Sequence, residues 1–529
     1  MRSHPASTEP PSQRAAAATR EAAEPGAWVT LAVVSVGLFL AVLSTTVVSV
    51  ALPSMGRGLH ADATQLEWVI DAYVVVYASL LLPGGALGDL LGRKGLFLTG
   101  VALFGCGSLL AGLAPSVGAL LAARVLQGVG PALLVPGSLT IIRAVFADPR
   151  RRAIAIGLWS TSSGIALAVG PPIGGLLVAW LGWRAVFYFN APLAAALVVL
   201  GARCMPRLAR APRSVRFDWP AAALTPAGVG LLAVGVIEGQ ALGWTAGVVI
   251  AALAAGTGAL VGFIVLERRH TDPLIDLSLF AGYGFRVANL AALVVFFAFV
   301  GAIVYFSAYF QQVQGHGPIT AGIDLLAIGL AYACATVVSG RIVGRIGERW
   351  PLLVGLAVSG LATLGLLRLQ PGTGIGAIWW NFALLGAGIG LCGTPMSTIA
   401  MSSVDADRAG MASAVINSVR QVGQVFGVAV LGALIYAQLP GANGTDHPLK
   451  EAQRALFTTG LHHALWVCGL ALLAAAATVV LFWARMTQPP DHPEPSARTS
   501  ERGADSHADN AATSLQPTRQ RPEAECQRS

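Results

Sequence analysis

The chain has 529 residues, of which 55% are apolar and only 11% charged, with a formal net charge of +8. A soluble globular protein carries about 25% charged residues. A mean hydropathy of +0.67 on so little charge therefore excludes that class and places the chain among polytopic membrane proteins. The basic excess is almost all arginine, Lys94 and Lys450 being the two lysines. In a membrane chain it speaks to orientation rather than to nucleic acid. Arginine in place of lysine, with abundant Ala and Gly, is what GC-rich coding produces, so a high-GC bacterial source is expected. The cysteines, Cys106, Cys204, Cys334, Cys392, Cys468 and Cys526, are scattered without a C-x-x-C pair. They read as small core hydrophobes rather than ligands or disulfides.

Residues 1–27 are Ala, Pro, Ser and charge without an apolar block, which predicts a disordered cytoplasmic tail. They are not a signal peptide, because the first apolar run is too long and has no cleavage site. About fourteen apolar spans of roughly 20 residues each follow. They cover 28–52, 66–87, 95–114, 117–142, 153–180, 185–203, 219–238, 246–266, 287–311, 318–340, 351–369, 374–398, 409–437 and 461–484. Residues 485–529 are again polar and expected to be disordered. With the N-terminus inside, the predicted cytoplasmic loops hold most of the arginine, including Arg93-Lys94, Arg150 to Arg152, Arg203 to Arg216, Arg268-Arg269 and Arg341 to Arg349. That asymmetry predicts both termini in the cytoplasm. A weak repeat is visible: Gly85 and Gly92 bracket a basic turn after the second span, and Gly340 and Gly347 bracket a similar one after the tenth. Two related halves would enclose a central cavity, with the spans near 219–266 an extra pair between them.

Within this frame a few polar residues stand out. Asp71 lies in the second span, about 8 Å from its outer end at 1.5 Å per residue. Removal from water disfavours the charged form of a carboxylate and opens proton uptake near neutral pH. Arg124 lies at roughly 12 Å in span four, and Ser44 at a similar depth in span one. A buried arginine needs a partner, and Asp71 is the nearest acid by depth. We therefore expect Asp71 to bind a proton and Arg124 to set its affinity. The bland alternative is an interfacial Asp71 that touches headgroups or caps a helix. Span two ends in a glycine-rich charged turn with Gly85, Asp89, Gly92, Arg93 and Lys94. A hydrophobic helix, a buried acid and a charged turn together suggest a membrane machine that moves charge or solute.

Four segments carry a family likeness. They are Gly85-x-Leu87-x-Asp89-x-x-Gly92-Arg93-Lys94, Leu120-x-x-x-Arg124-x-x-Gln127-Gly128-x-Gly130, Gly170-Pro171-x-x-Gly174-Gly175, and the stretch LSTTVVSVALP from Leu43 to Pro53. In this order they resemble the fourteen-span drug:proton antiporters of the major facilitator superfamily, over nearly the whole hydrophobic length. The resemblance implies an all-α polytopic membrane protein with the major facilitator fold, two six-helix bundles plus two extra central helices. The expected division is an N-tail at 1–27, a first bundle at 28–205, two linker helices at 206–270, a second bundle at 271–484 and a C-tail at 485–529. It implies that the Asp89 turn braces the halves as a conformational switch, against the start of span thirteen near Arg408 to Ser413. It also implies that Gly170, Pro171, Gly174 and Gly175 form an antiport motif. Two departures matter. Ser44 stands where the family usually has Asp, which removes a carboxylate often used for proton coupling, and Ser49 stands where it usually has Asn. Leu90 replaces the usual Arg after the loop aspartate.

Candidates for a substrate cavity are Ser44, Tyr73, Gln127, Tyr305, Asn417, Arg420 and Gln424. Arg420, followed by Gln421, lies deep in span thirteen. Glu238 and Asp324 lie near outer span ends and read as interfacial. The aromatic stripe Phe296, Phe297, Phe299, Tyr305, Phe306, Tyr309 and Phe310 in span nine reads as helix packing or an interface belt before a drug site. Gly388-x-Gly390-x-x-Gly393 fits a dinucleotide fingerprint but sits inside an apolar span without a preceding strand, so it reads as a packing surface. No G-x-x-x-x-G-K-[ST] occurs in the sequence, so a gradient rather than ATP is the expected energy source. Asn443-Gly444-Thr445 is a sequon in a predicted external loop. No cofactor or metal is expected, and the expected partners are protons, a small-molecule substrate and the bilayer, with the chain acting as a monomer. The sequence thus predicts a proton-coupled exporter of a hydrophobic or cationic drug, antibiotic or related molecule in the bacterial cytoplasmic membrane. The rivals are a solute importer on the same fold and a non-transporting sensor or scaffold.

Overall fold

A computed structural model describes residues 11–206, 218–270, 275–404, 409–439 and 450–483. All regular structure among them is helical, and fourteen helices are long and apolar enough to cross a membrane. In chain order the helices are α1 (Pro11–Leu59), α2 (Ala63–Leu91), α3 (Arg93–Leu113), α4 (Val117–Val145), α5 (Pro149–Leu181), α6 (Ala185–Tyr188), α7 (Asn190–Cys204), α8 (Trp219–Leu242) and α9 (Gly247–Glu267). They continue as α10 (Tyr283–Ala308), α11 (Pro318–Asp324), α12 (Leu326–Ile346), α13 (Arg349–Gly365), α14 (Ile375–Ser402), α15 (Ala409–Tyr436) and α16 (Glu451–Leu481). The pairs α6–α7 and α11–α12 each make one span. A single π turn, Tyr309–Val313, extends α10.

Several boundaries differ from the sequence reading for local reasons. α1 begins at Pro11, ahead of its apolar segment Gly26–Leu59, where disorder was expected. The alanine-rich stretch after Pro11 is a strong helix former. α2 does not stop at Leu87. It continues through Pro83, Gly84 and Gly85 to Leu91 and breaks only at Gly92, whose φ of 98° suits glycine. α16 starts at Glu451 rather than 461. Cys392 and Cys468 are buried as expected, whereas Cys106 and Cys334 are exposed on the helix surface. Residues 484–529, the sequon at Asn443 and Arg408 lie outside the described residues.

The packing repeats itself. In the first six spans α1 packs on α5, α2 and α3 on α4, and α3 on α7; in the last six α10 packs on α15, α12 and α13 on α14, and α13 on α16. Gly92 ends α2 and Gly347, with φ of 81°, ends α12, so the two bracketed turns of the sequence occupy equivalent places. The α8–α9 hairpin packs on α2 and also on α15. Contacts between the two sets of six run through α2 with α15, α5 with α11 and α12, and α1 with α10. The aromatic stripe of α10 is packing: Phe299 stacks on Tyr332 at 5.0 Å, and Phe306 and Phe310 meet Phe382 at 4.7 and 5.9 Å. Gly388 and Gly390 likewise meet neighbouring backbones on α13 and α12.

Close approach of backbones replaces the hydrophobic drive that lipid cannot supply. At Gly84 an added Cβ would lie 2.2 Å from the Ala132 carbonyl oxygen of α4. Gly95, by contrast, has nothing within 4 Å. Gly84→Ala should therefore lower the thermal stability of the detergent-purified protein by about 1–3 kcal/mol, while Gly95→Ala stays within about 0.5 kcal/mol. Equal melting of the two variants would contradict the packing.

Candidate functional site

α2 positions the polar residues, and its start is fixed by a capping box. The Gln65 amide donates to Asp62 Oδ1 at 2.8 Å, and the Asp62 amide donates to Gln65 Oε1 at 3.2 Å. Successive residues of the helix turn by about 100°. Val69 and Tyr73 thus share one face, and Glu67 and Asp71 share another, nearly opposite.

The Val69–Tyr73 face meets α4 and α1. Arg124 is fully buried. Its Nε donates to Val69 O at 2.7 Å, and its Nη1 donates to Gln127 Oε1 at 2.7 Å and Ser44 Oγ at 3.0 Å. Gln127 Nε2 donates to Ser108 Oγ at 2.6 Å and to Ser44 Oγ at 3.2 Å. The guanidinium lies 4.3 Å over the Tyr73 ring, whose hydroxyl donates to Ala41 O at 2.7 Å. Arg124, Ser44, Tyr73 and Gln127 therefore come together, in a network closed to solvent in this conformation.

The Glu67–Asp71 face looks the other way. Asp71 is 0% exposed, and neither carboxyl oxygen has a hydrogen-bond partner among the described residues. It forms no ion pair with Arg124, contrary to the pairing expected from depth. Depth along a helix does not fix the angle around it: two residues turn the side chain by about 200°. Asp71 instead lies near Glu67, one turn away, and within electrostatic reach of Tyr305 on α10.

Glu67 was not singled out in the sequence. At the start of the second span it reads as an interfacial acid, yet it is 6% exposed. The i, i+4 spacing to Asp71 was the available signal. Its Oε1 lies 3.0 Å from the Tyr305 hydroxyl, which also lies 2.7 Å from Val428 O of α15. The facing stripe of α15 is Arg420, Gln424, Val428 and Gly432, each four residues from the next. Arg420 lies near Tyr77 of α2 and Tyr332 of α12, at one end of this seam, and Glu67 lies at Gly432 at the other. Arg420 donates to Ser397 Oγ at 2.7 Å and to Asn417 Oδ1 at 3.3 Å. Gln424 is buried between the two ends.

Other expectations resolve individually. Asp324 is buried rather than interfacial, because His316 returns from the end of α10 to bond it at 2.7 Å. Glu238 is half-buried and accepts from Trp68 Nε1 at 2.8 Å, tying α8 to α2. Arg93 donates to Thr140 Oγ1 of α4 at 2.7 Å, and Lys94 donates to the carbonyls of Ala202 and Met205 at the end of α7. The side chain of Asp89 lies outside the described residues. In the GPPIGG segment, Gly170 and Gly174 face α1 at Thr46 and Val47. Gly175 abuts Pro318 O and Pro171 O abuts Gly322, so this segment also faces α11 of the other set.

Ser44 is the acceptor that two donors share, Arg124 and Gln127. Ser44→Ala should leave both short of a partner and cost about 1–3 kcal/mol of stability. Ser44→Asp places a carboxylate against the guanidinium and should be tolerated far better. Thermal unfolding of the two variants distinguishes them, and equal stability would contradict the network.

The sequence profile of the Major Facilitator Superfamily matches residues 34–428. The chain is 37% identical to the multidrug resistance protein Stp of Mycobacterium tuberculosis (strain CDC 1551 / Oshkosh), over 78% of this chain and 76% of that protein. It is 36% identical to a puromycin resistance protein of Streptomyces alboniger, over 87% and 91% of the two chains. It is 34% identical to the tetracenomycin C resistance and export protein of Streptomyces glaucescens, over 82% and 80%. In fold it is similar to the inward-facing, unoccupied crystal structure of a bacterial homologue of the human lysosomal transporter Spinster, with a TM-score of 0.64 at 19% identity, covering 89% of this chain and 99% of that one. Fourteen apolar helices, a repeated packing pattern and these sequence matches agree: the chain belongs to the major facilitator superfamily.

Proposed function

We propose that the protein exports a drug-like or antibiotic molecule across the bacterial cytoplasmic membrane in exchange for protons, with both termini in the cytoplasm. Relatives named for multidrug resistance and for puromycin and tetracenomycin C resistance support the export reading. The observation that carries proton coupling is the Asp71 carboxyl: fully buried, without a hydrogen-bond partner, on the α2 face turned toward α15 and α10. A charge held there without a partner is costly by several kcal/mol, so its protonation state and the seam's arrangement are linked. Protonated Asp71 is compatible with the closed seam. Loss of the proton favours a rearrangement that brings water or a positive partner to the carboxylate. Arg124 acts at a distance, fixing the register of α2 against α4 through Val69 and Tyr73, not by pairing with Asp71. One proton moving down 100 mV supplies about 2.3 kcal/mol before any pH difference.

The halves move against each other in this reading, and the GPPIGG segment of α5 is where one meets α11. The Asp89 turn remains an assigned brace by resemblance. An importer is the second reading, and uptake of a labelled solute by reconstituted protein would favour it.

Two experiments test the proposal. In proteoliposomes, an outward gradient of puromycin or a related drug should drive proton movement with wild-type protein, and Asp71→Asn should reduce it to the level of empty vesicles. Full coupling in that variant would overturn Asp71 as carrier. Gly175→Leu should abolish drug resistance of expressing cells while the protein still reaches the membrane in wild-type amount, because its side chain would occupy the Pro318 contact. Unchanged resistance would remove that contact from the transport cycle.

A further inference from the structure

Glu67, Tyr305 and Gly432 meet where three helices from both sets of spans come together, at the end of the seam nearest the α1–α2 turn. The site is built for close contact. A Cβ at Gly432 would lie 1.9 Å from Glu67 Oε1 and 2.2 Å from the Tyr305 hydroxyl, so the absence of a side chain there makes the notch. Ser49 and Leu52 of α1, Val304 of α10 and Tyr436 of α15 line a cavity of about 20 Å³ beside Glu67, room for about one water.

The Tyr305 hydroxyl has one hydrogen. It lies 2.7 Å from Val428 O and 3.0 Å from Glu67 Oε1, and a backbone carbonyl only accepts. If Tyr305 donates to Val428 O, the short contact to Glu67 needs a hydrogen from the carboxyl. The chain Glu67 O–H to Tyr305 O–H to Val428 O is complete only when Glu67 is protonated. An anionic Glu67 would compete with Val428 O for the single hydrogen. It would also face Asp62 and Asp71 from its own helix and Glu238 from α8, and the phenols of Tyr305 and Tyr436 from α10 and α15. No Arg, Lys or His pairs with it among the described residues.

We propose that Glu67 is a second proton-binding residue, whose protonated carboxyl latches α2 to α10 and α15 through Tyr305 and holds this end of the transporter shut. The latch adds to the coupling role of Asp71 and does not depend on it. Ser307 Oγ donating to Ser49 O, and Gln311 Nε2 donating to Val50 O at 3.0 Å, join α1 to α10 at the same end. Those contacts carry no titrating group, so the pH response of this closure comes from Glu67 together with Asp71, one turn along the same helix. The sign follows: the shut state binds the proton, so it is favoured at acidic pH and lost as pH rises.

The test uses spin labels on either side of this end, at Leu59 and Gly317, in full-length protein freed of other cysteines and shown to transport. Pulsed dipolar spectroscopy should give a short distance in acidic buffer and a growing long-distance population in alkaline buffer. In an Asp71→Asn background, which removes the neighbouring acid, the distance should still respond to pH, and adding Glu67→Gln, a permanent neutral donor, should keep it short at both. Tyr305→Phe should show the long distance even in acid, because the relay is cut. The proposal is overturned if adding Glu67→Gln to Asp71→Asn leaves opening with alkali unchanged, or if the distance in Asp71→Asn does not respond to pH. Should Glu67→Gln not fold, Glu67→Asp, with a shorter reach, should weaken closure in acid, and wild-type closure there would overturn the latch. The coupling reading is judged separately. Drug-driven proton movement with a pH-blind gate removes the latch alone, and a pH-responsive gate without such movement removes the coupling alone.

Discussion

Two carboxyl groups one helical turn apart on α2 lie out of water, and among the described residues neither has a cation beside it. Taking an ionised carboxylate out of water costs several kcal/mol even after relaxation, comparable with the net stability of an ordinary domain. The helix can hold both groups only while they are neutral or while the packing around them changes. In the proposed mechanism that constraint ties protonation to the seam between α2 and α15, because the acids face that seam rather than the interior of their own bundle.

The rest of the architecture frames the seam. Each set of six spans is tied internally by backbone-to-backbone approach, as at Gly84 against Ala132 O in the first and Gly386 against Ile328 O in the second. Such contacts have no slack. The set-to-set contacts are the polar seam, the packing of α5 on α11 and α12, where Gly329 meets the Ala168 backbone, and the hydrogen bonds of α1 with α10. The α8–α9 hairpin leans on α2 and α15 alike, and Trp68 donating to Glu238 fastens it to the acid-bearing helix. A hairpin so placed bridges the two sets of spans at the seam.

Much of this was legible in the sequence. Span number and order follow from apolar runs of bilayer length, and the turns at Gly92 and Gly347 follow from their glycine and basic residues. The depths of Ser44, Asp71 and Arg124 were also legible, and Ser44 and Arg124 do meet. What depth could not supply was azimuth. Arg124 finds Val69 and Tyr73, and Asp71, two residues away from each, faces elsewhere. Glu67 escaped notice because an acid near a span's end is ordinarily solvated. Only the fold, by bringing Gly432 and Tyr305 over it, buries it. The length of α2 was underread because Pro and Gly usually punctuate soluble helices. Here neighbouring helices fill the space that Gly84 leaves.

The central claim is that the proposed exchange of drug for protons runs through the α2 acids. It is tested most directly by mixing purified protein, in weakly buffered detergent with a pH indicator, with a drug to which it confers resistance. The account predicts proton release on binding by the wild type and none when Glu67 and Asp71 are both replaced by their amides, although that variant still binds the drug. Drug binding by the wild type without proton release, or equal release by the double variant, would contradict it.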